Sequence, residues 1–236
     1  MEPDEQRALS ELRLLQLADS ALPIGALTQS FGLETLVASE MLSVSELAGF
    51  LRGYIEESGF AEVVFCREAH RVVNTLAATF SSNRWVGLNQ TLSARKTARE
   101  SCAGSAALGR NFLEALIALD NSPVLRNALV AVKNPPTLVH HCTAFGLAAA
   151  VIGIDEDRAA LTYLHQSTAN LISACQRLLP LGQTGATRLL WDLKPQICDA
   201  MSRSKHCSID DACSFMPLLD WAAMEHPALF TRLFIS

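Results

Sequence analysis

Apolar residues in this chain recur at the spacing of an α-helix in segment after segment, and no stretch sustains the alternation of a strand. From Ser43 the sequence reads SVSELAGFLRGYIEESG, where Ser43 and Glu46 have capping-box spacing and Leu47, Phe50, Leu51, Tyr54 and Ile55 share one helical face. Gly59 marks a break or bend, after which Val64, Phe65, Val72, Val73, Leu76 and Phe80 continue the pattern. The run Leu92 to Leu119 is alanine-rich, and Ala103, Gly104 and Ala107 predict close helix–helix approach. Pro135 and Pro136 suit the first turn of a helix with the body LVHHCTAFGLAAAVIG. Asp155 is an N-cap for a helix whose face is Leu161, Leu164, Thr168, Leu171, Ile172, Cys175 and Leu179. The turn PLGQTG follows, then two more helices, about Ala186 to Cys198 and Asp210 to Glu225. The expectation is an all-α protein, a single-domain bundle of about ten helices over residues 1–236. A mobile N-terminus (1–8), a polar connection (201–208) and a C-terminal tail (227–236) are its expected loose parts.

Charge and hydropathy narrow the function classes. Hydrophobic residues make up 50% of the chain and charged residues 18%, with mean hydropathy +0.21, so either the helical core is large or apolar surface meets another protein. A net charge of −5 argues against a generic nucleic-acid binder, and the densest basic cluster, RKTAR from Arg95 to Arg99, reads as a solvated helix face. The longest relevant apolar run, Ala144 to Ile154, is too short to cross a bilayer. The start MEPDEQR lacks the basic region of a secretory signal, so the expected location is the cytoplasm. Seven cysteines at irregular spacing describe no disulfide framework and are expected to be reduced and mostly buried.

The familiar catalytic and nucleotide-binding patterns are missing: no phosphate-binding glycine loop and no G-x-S-x-G elbow occurs. His140, His141 and Cys142 are consecutive, and adjacent helical residues point about 100° apart, so they do not converge on one ion unaided. His206, Cys207 and Cys213 form a second loose group without ligand spacing. His70 has no nucleophile partner at a meaningful distance in sequence, and the pairs Glu56–Glu57 and Asp210–Asp211 read as caps or solvated groups. The competing reading is a small helical metal-binding protein or metalloenzyme built on His140, His141, Cys142, His206, Cys207 or His226.

One stretch is far more specific. ADSALPIGALTQSFGLETLV, preceded by Leu14-Leu15-Gln16-Leu17, resembles the N-terminal signature of the urease accessory protein UreF family through Asp19, Ser20, Pro23, Gly25, Ser30, Gly32, Leu33 and Glu34. HHCTAFGLAAAVIGID resembles a second family segment through His141, Phe145, Gly146 and Gly153. The Pro180-Leu181-Gly182-Gln183 turn resembles a third, and PLLDWAAMEHPALFTRLFIS, with His226, Arg232, Leu233, Phe234 and Ser236, resembles the family's tail. The chain departs from the pattern at Gln29, where the family often has histidine, at Leu27, where it has phenylalanine, and at Ile235, where it has arginine.

The resemblance implies a helical, non-enzymatic urease maturation factor with no permanently bound cofactor. Such a factor bridges the scaffold UreD (UreH) and the nickel-carrying GTPase UreG, regulates GTP-dependent nickel delivery to apo-urease, and commonly dimerises. GTP would be bound by the GTPase and nickel handled by the complex. Asp19, Ser20, Pro23, Gly25, Gln29, Ser30, Gly32, Glu34, His141, Gln183, His226, Arg232, Leu233 and Phe234 are then the candidate partner-binding or signature positions. Phe230, Leu233 and Phe234 are expected to be exposed until the tail orders on the scaffold.

Overall fold

Ala144 to Ile154 is apolar on every side, and a helix of that composition belongs at the centre of a bundle. The computed structural model, which describes residues 3–74 and 79–236, places it there. In chain order its α-helices are α1 (Pro3–Leu17), α2 (Leu33–Ala38), α3 (Leu47–Tyr54), α4 (Phe60–His70), α5 (Ser82–Arg95) and α6 (Arg99–Leu119). They continue with α7 (Pro123–Ala131), α8 (His141–Val151), α9 (Glu156–Leu178), α10 (Gln183–Asp192), α11 (Lys194–Arg203) and α12 (Pro217–Glu225). Every residue of α8 from His141 to Ala150 is buried, and α4, α6 and α9 pack around it. The closest crossing is α4 on α8, where a Cβ at Gly146 would overlap the Cys66 carbonyl; only glycine lets the two backbones approach so far.

The all-α expectation holds, with differences of detail. Gly59 does not interrupt the chain: Ile55–Gly59 is a π-helical turn joining α3 to α4, and a Cβ there would stand 2.8 Å from Leu164 Cδ1. The helix ends at His70, ten residues before the sequence pattern runs out. Val73–Asn74 instead pairs antiparallel with Thr79–Phe80, strands too short to show a period, while Leu76 lies outside the described residues. Val73 and Phe80 still pack against the core, which is why they fit a helical pattern. Pro135 and Pro136 occupy a turn and α8 starts at His141. Asp155 caps α9 as expected, accepting from the Asp157 and Arg158 amides. Ala103 and Ala107 are exposed; the close approaches of α6 are made by Gly104 and Gly109. Of the seven cysteines, all free, three are buried.

The polar connection 201–208 is stitched down by a buried arginine. Arg67, 1% exposed, donates to Ser204 Oγ (2.8 Å), the Met201 carbonyl (2.9 Å), Glu156 (2.9 Å) and Asp157 (2.6 Å). Lys205 adds a 2.8 Å bridge to Asp157. Burial of a guanidinium is tolerable only with such full pairing, and here the pairing ties α4, α9 and α11 together.

Candidate functional site

The signature segment begins as α1 ends. Asp19 accepts the Ala21 amide at 2.8 Å in a side-chain-closed turn, and the chain runs exposed through Ser20 and Pro23. Gly25 (φ 85°) then turns it into a short 3₁₀ segment, Ala26–Thr28. Gly32, at φ 95°, sits directly before α2, where L-residues are strained; a Cβ there would also lie 3.0 Å from both the Ala223 amide nitrogen and the Leu219 carbonyl of α12. These backbone turns bring Gln29, Ser30 and Glu34 to one place.

The C-terminal tail comes to meet them. The Ser236 carbonyl accepts from the Ser30 amide (2.5 Å), the Ser30 hydroxyl (2.7 Å) and the Phe31 amide (3.1 Å), and the Ile235 amide donates to the Thr28 carbonyl at 2.9 Å. Ser236 Oγ donates to Gln29 Oε1, directly beside Gly104, where a Cβ would crowd both groups. Phe234 is 4% exposed, its ring 4.3 Å beneath the Arg177 guanidinium, which also donates to the Leu27 carbonyl at 2.6 Å.

Glu34 is the hub. Its carboxylate accepts from the amides of Leu233 (2.5 Å) and Phe234 (3.0 Å) and faces His226 Nε2 at 3.0 Å. The other ring nitrogen of His226, Nδ1, lies 2.6 Å from Glu100, and Arg232 approaches the same Glu100 at 3.5 Å. Burial works to raise the Glu34 carboxyl, but the hydrogen bond from His226, those of the two tail amides and the charge of His226 outweigh it, holding the group below its ordinary value. Glu34 is thus fixed as an anion that reads the tail's backbone, and this pattern can hold a chain segment in place without performing chemistry on it.

Of the candidate positions, Gln29, Ser30, Gly32, Glu34, His226, Arg232, Leu233 and Phe234 come together here. Asp19, Ser20, Pro23 and Gly25 form the approach to it. Gln183 lies elsewhere, exposed at the start of α10, where it accepts from Gln176 at 3.0 Å. His141 faces an internal cavity. The expected exposure of Phe234 is corrected by its burial under Arg177, whereas Phe230 is fully exposed and Leu233 is 53% exposed. Two histidines of the metal-binding reading are otherwise engaged: His140 is fully buried with Ser93 at 2.8 Å and Ser105 at 3.2 Å, and His226 stands between its two carboxylates. Among the described residues no three of His, Cys, Asp and Glu are grouped to hold a metal ion.

A folded junction of an N-terminal signature with a C-terminal tail is a property of whole chains, and the comparisons match at that level. The sequence model of the UreF family matches residues 42–194. The urease accessory protein UreF of Bradyrhizobium sp. strain BTAi1 is 32% identical, covering 99% of this chain and 98% of that protein. Those of Corynebacterium glutamicum strain R and a Synechocystis species are 30% and 33% identical, each covering 96% of this chain and 98% of the relative. The chain belongs to the UreF family. The signature and tail lie outside the residues matched by the UreF model but inside the span shared with full-length UreF relatives.

Sequence reasoning missed Glu100 and Arg177 as members of this UreF junction. Glu100 directly follows the RKTAR cluster with no local pattern to single it out; Arg177 sits in the last turn of α9, where a basic residue is ordinary. Only the folded positions of the tail and α2 reveal their roles.

Proposed function

We propose that this chain is a non-catalytic urease maturation factor of the cytoplasm that bridges the scaffold UreD (UreH) and the GTPase UreG. In this reading it couples nucleotide state to nickel delivery into apo-urease, binds neither GTP nor a permanent cofactor itself, and works as a homodimer. Membership of the UreF family supports a role in urease maturation. The observation that carries the finer reading is the junction just described. It fixes a tail that presents Phe230, Leu233 and Ile235 to solvent, on a molecule that also exposes Leu218, Trp221 and Met224 of α12. Large apolar side chains held outward by a buried polar anchor are suited to covering by another protein. Among the described residues no helix is long and apolar enough to cross a membrane, so the bilayer has no spanning claim on that surface.

Coupling requires different affinities for the two nucleotide states of the GTPase, because a partner that binds both equally shifts neither. The test is light scattering coupled to size exclusion on this protein, its cognate scaffold and the GTPase with Mg²⁺ and either GDP or a non-hydrolysable GTP analogue. A scaffold-dependent complex whose GTPase content changes with nucleotide is expected. Equal GTPase content in both states removes the coupling, and no association at all removes the bridge.

A further inference from the structure

A cavity of about 460 Å³ opens between α4, α5, α6 and α9, within the ~300–1,000 Å³ of pockets that enclose small organic ligands. Its walls are largely apolar, with Tyr54, Phe65, Leu108 and Leu171 prominent. At its polar end Lys96 Nζ meets Glu62 Oε1 at 2.8 Å, and the Tyr163 hydroxyl donates to Glu62 Oε2 at 2.8 Å. RKTAR is therefore no solvated face at this point: α5 ends at Arg95 and Lys96, its side chain 17% exposed, turns inward. Burial works to raise Glu62, but Lys96 and Tyr163 outweigh it and hold the carboxyl below its ordinary value. Burial likewise works to lower Lys96, and the Glu62 charge outweighs it and holds the ammonium above. Both groups stay charged.

The hydrogen-bonding capacity at this end is lopsided. Both Glu62 oxygens accept a bond, whereas Lys96 uses one of its three N–H groups among the described residues. His141 lines the same cavity, is 6% exposed, and its Nε2 has no partner among the described residues. Burial pushes the His141 ring down to about 4, so at neutral pH it is uncharged and, protonated on Nε2, has a hydrogen to give. At this end of the cavity the unused capacity is that of donors, on Lys96 and His141. A dianion would crowd Glu62, and a cation would find its carboxylate already taken.

We propose that this cavity binds a small monocarboxylate with an apolar body, its carboxylate accepting from Lys96 Nζ and His141 Nε2 and its hydrocarbon lying against Tyr54, Phe65 and Leu171. Access is over the strap 207–216, which contributes Ala212, Cys213 and Ser214 to the lining. The strap is held by Ala212, which is buried in the core, by Cys207, Ile209 and Met216 packed against that core, and by polar contacts: Arg95 to the Ala212 carbonyl (2.8 Å), Ser58 to Ser214 (2.9 Å) and the Phe215 amide to Glu57 (2.9 Å). The polar contacts exchange readily with water, whereas opening the strap also requires Ala212 to leave the core. The cavity borders the signature–tail junction, sharing Gln29 and Phe31 with it, but the proposal does not depend on the maturation reading.

The test is calorimetric titration and proton NMR of the full chain with hexanoate, its neutral isostere hexanamide, and hexylamine. Hexanoate is expected to bind saturably at one site, at least tenfold tighter than hexanamide, with shifts of the Tyr54 and Tyr163 ring signals. His141→Phe, which retains an aromatic ring beside Phe112 and Tyr163, should weaken hexanoate about fivefold or more. Lys96→Gln alone would strand the Glu62 charge, so the double variant Glu62→Gln/Lys96→Gln is the safer probe, and it should bind hexanoate no better than hexanamide. Hexanamide or hexylamine binding as well as hexanoate, hexanoate binding unchanged in both variants, or no saturable binding by any of the three would overturn the proposal.

Discussion

Glu34 shows how much can depend on one side chain. It is 7% exposed and takes hydrogen bonds from two tail amides and a histidine, and such bonds to a charged acceptor are worth ~1.5–3 kcal/mol each before desolvation is subtracted. Glu34→Gln keeps the shape but removes the charge and turns one acceptor into a donor facing donors. We expect it to cost about 2 kcal/mol in urea unfolding at pH 7. The pH dependence has a definite sign. The folded carboxyl lies below its ordinary 4.5, so its contribution is fully present above that value and is lost as pH falls through the folded value. The gap between wild type and Glu34→Gln should therefore be present at pH 7 and narrow as pH falls below the ordinary 4.5. A gap that widens in acid would show that the carboxylate is not held ionised by the tail.

At the scale of elements, glycines separate conformational from steric need. A Cβ at Gly146 meets backbone, the Cys66 carbonyl, and α4 cannot yield without leaving α8. Gly153, at φ 76°, has nothing within 4 Å of that position. Gly146→Ala should thus destabilise by about 3 kcal/mol or more through overpacking, and Gly153→Ala by about 1 kcal/mol through left-handed strain alone. Thermal unfolding of the two variants checks the order, and equal losses would mean that α4 and α8 can slide apart cheaply. The same contrast explains what the sequence made legible. Periodicity revealed α9 because its apolar face packs where it sits in the chain, a continuous apolar run revealed α8, and Asp155 marked a start because capping is local. It misplaced the end of α4, since Val73 and Phe80 pack on the core from a strand pair as well as they would from a helix. Signature residues were visible as a pattern, but their role in gripping the tail was not, because Glu34 and Phe234 are brought together by the fold across 200 positions.

For the whole molecule, the tail performs two tasks that can be separated experimentally. Leu233 and Phe234 amides and the Ser236 carbonyl face inward to the signature, while the Phe230 side chain faces outward. Deleting residues 229–236 leaves Glu34 without its two amide donors and uncovers the ground beneath Phe234. Those residues touch the bundle only at its edge, at Glu100 and Gly104 of α6 and Arg177 of α9, so the packing of α4, α6, α8 and α9 on one another should persist with helical circular dichroism intact. Loss of the junction should lower the midpoint of thermal unfolding by several degrees, on the scale of ~4 °C or less per kcal/mol for a chain of this size. Phe230→Ala, by contrast, removes a fully exposed ring and should leave the midpoint within a degree or so. If the outward side of the tail is a docking surface, the point variant should still weaken scaffold binding about tenfold, a size ordinary for a buried aromatic anchor. Measuring both quantities on both proteins separates the tasks: a deletion that lowers affinity no more than Phe230→Ala places the partner on the ring itself. A point variant with wild-type affinity assigns the tail to holding α2 and α12 together and leaves the partner surface to the exposed face of α12.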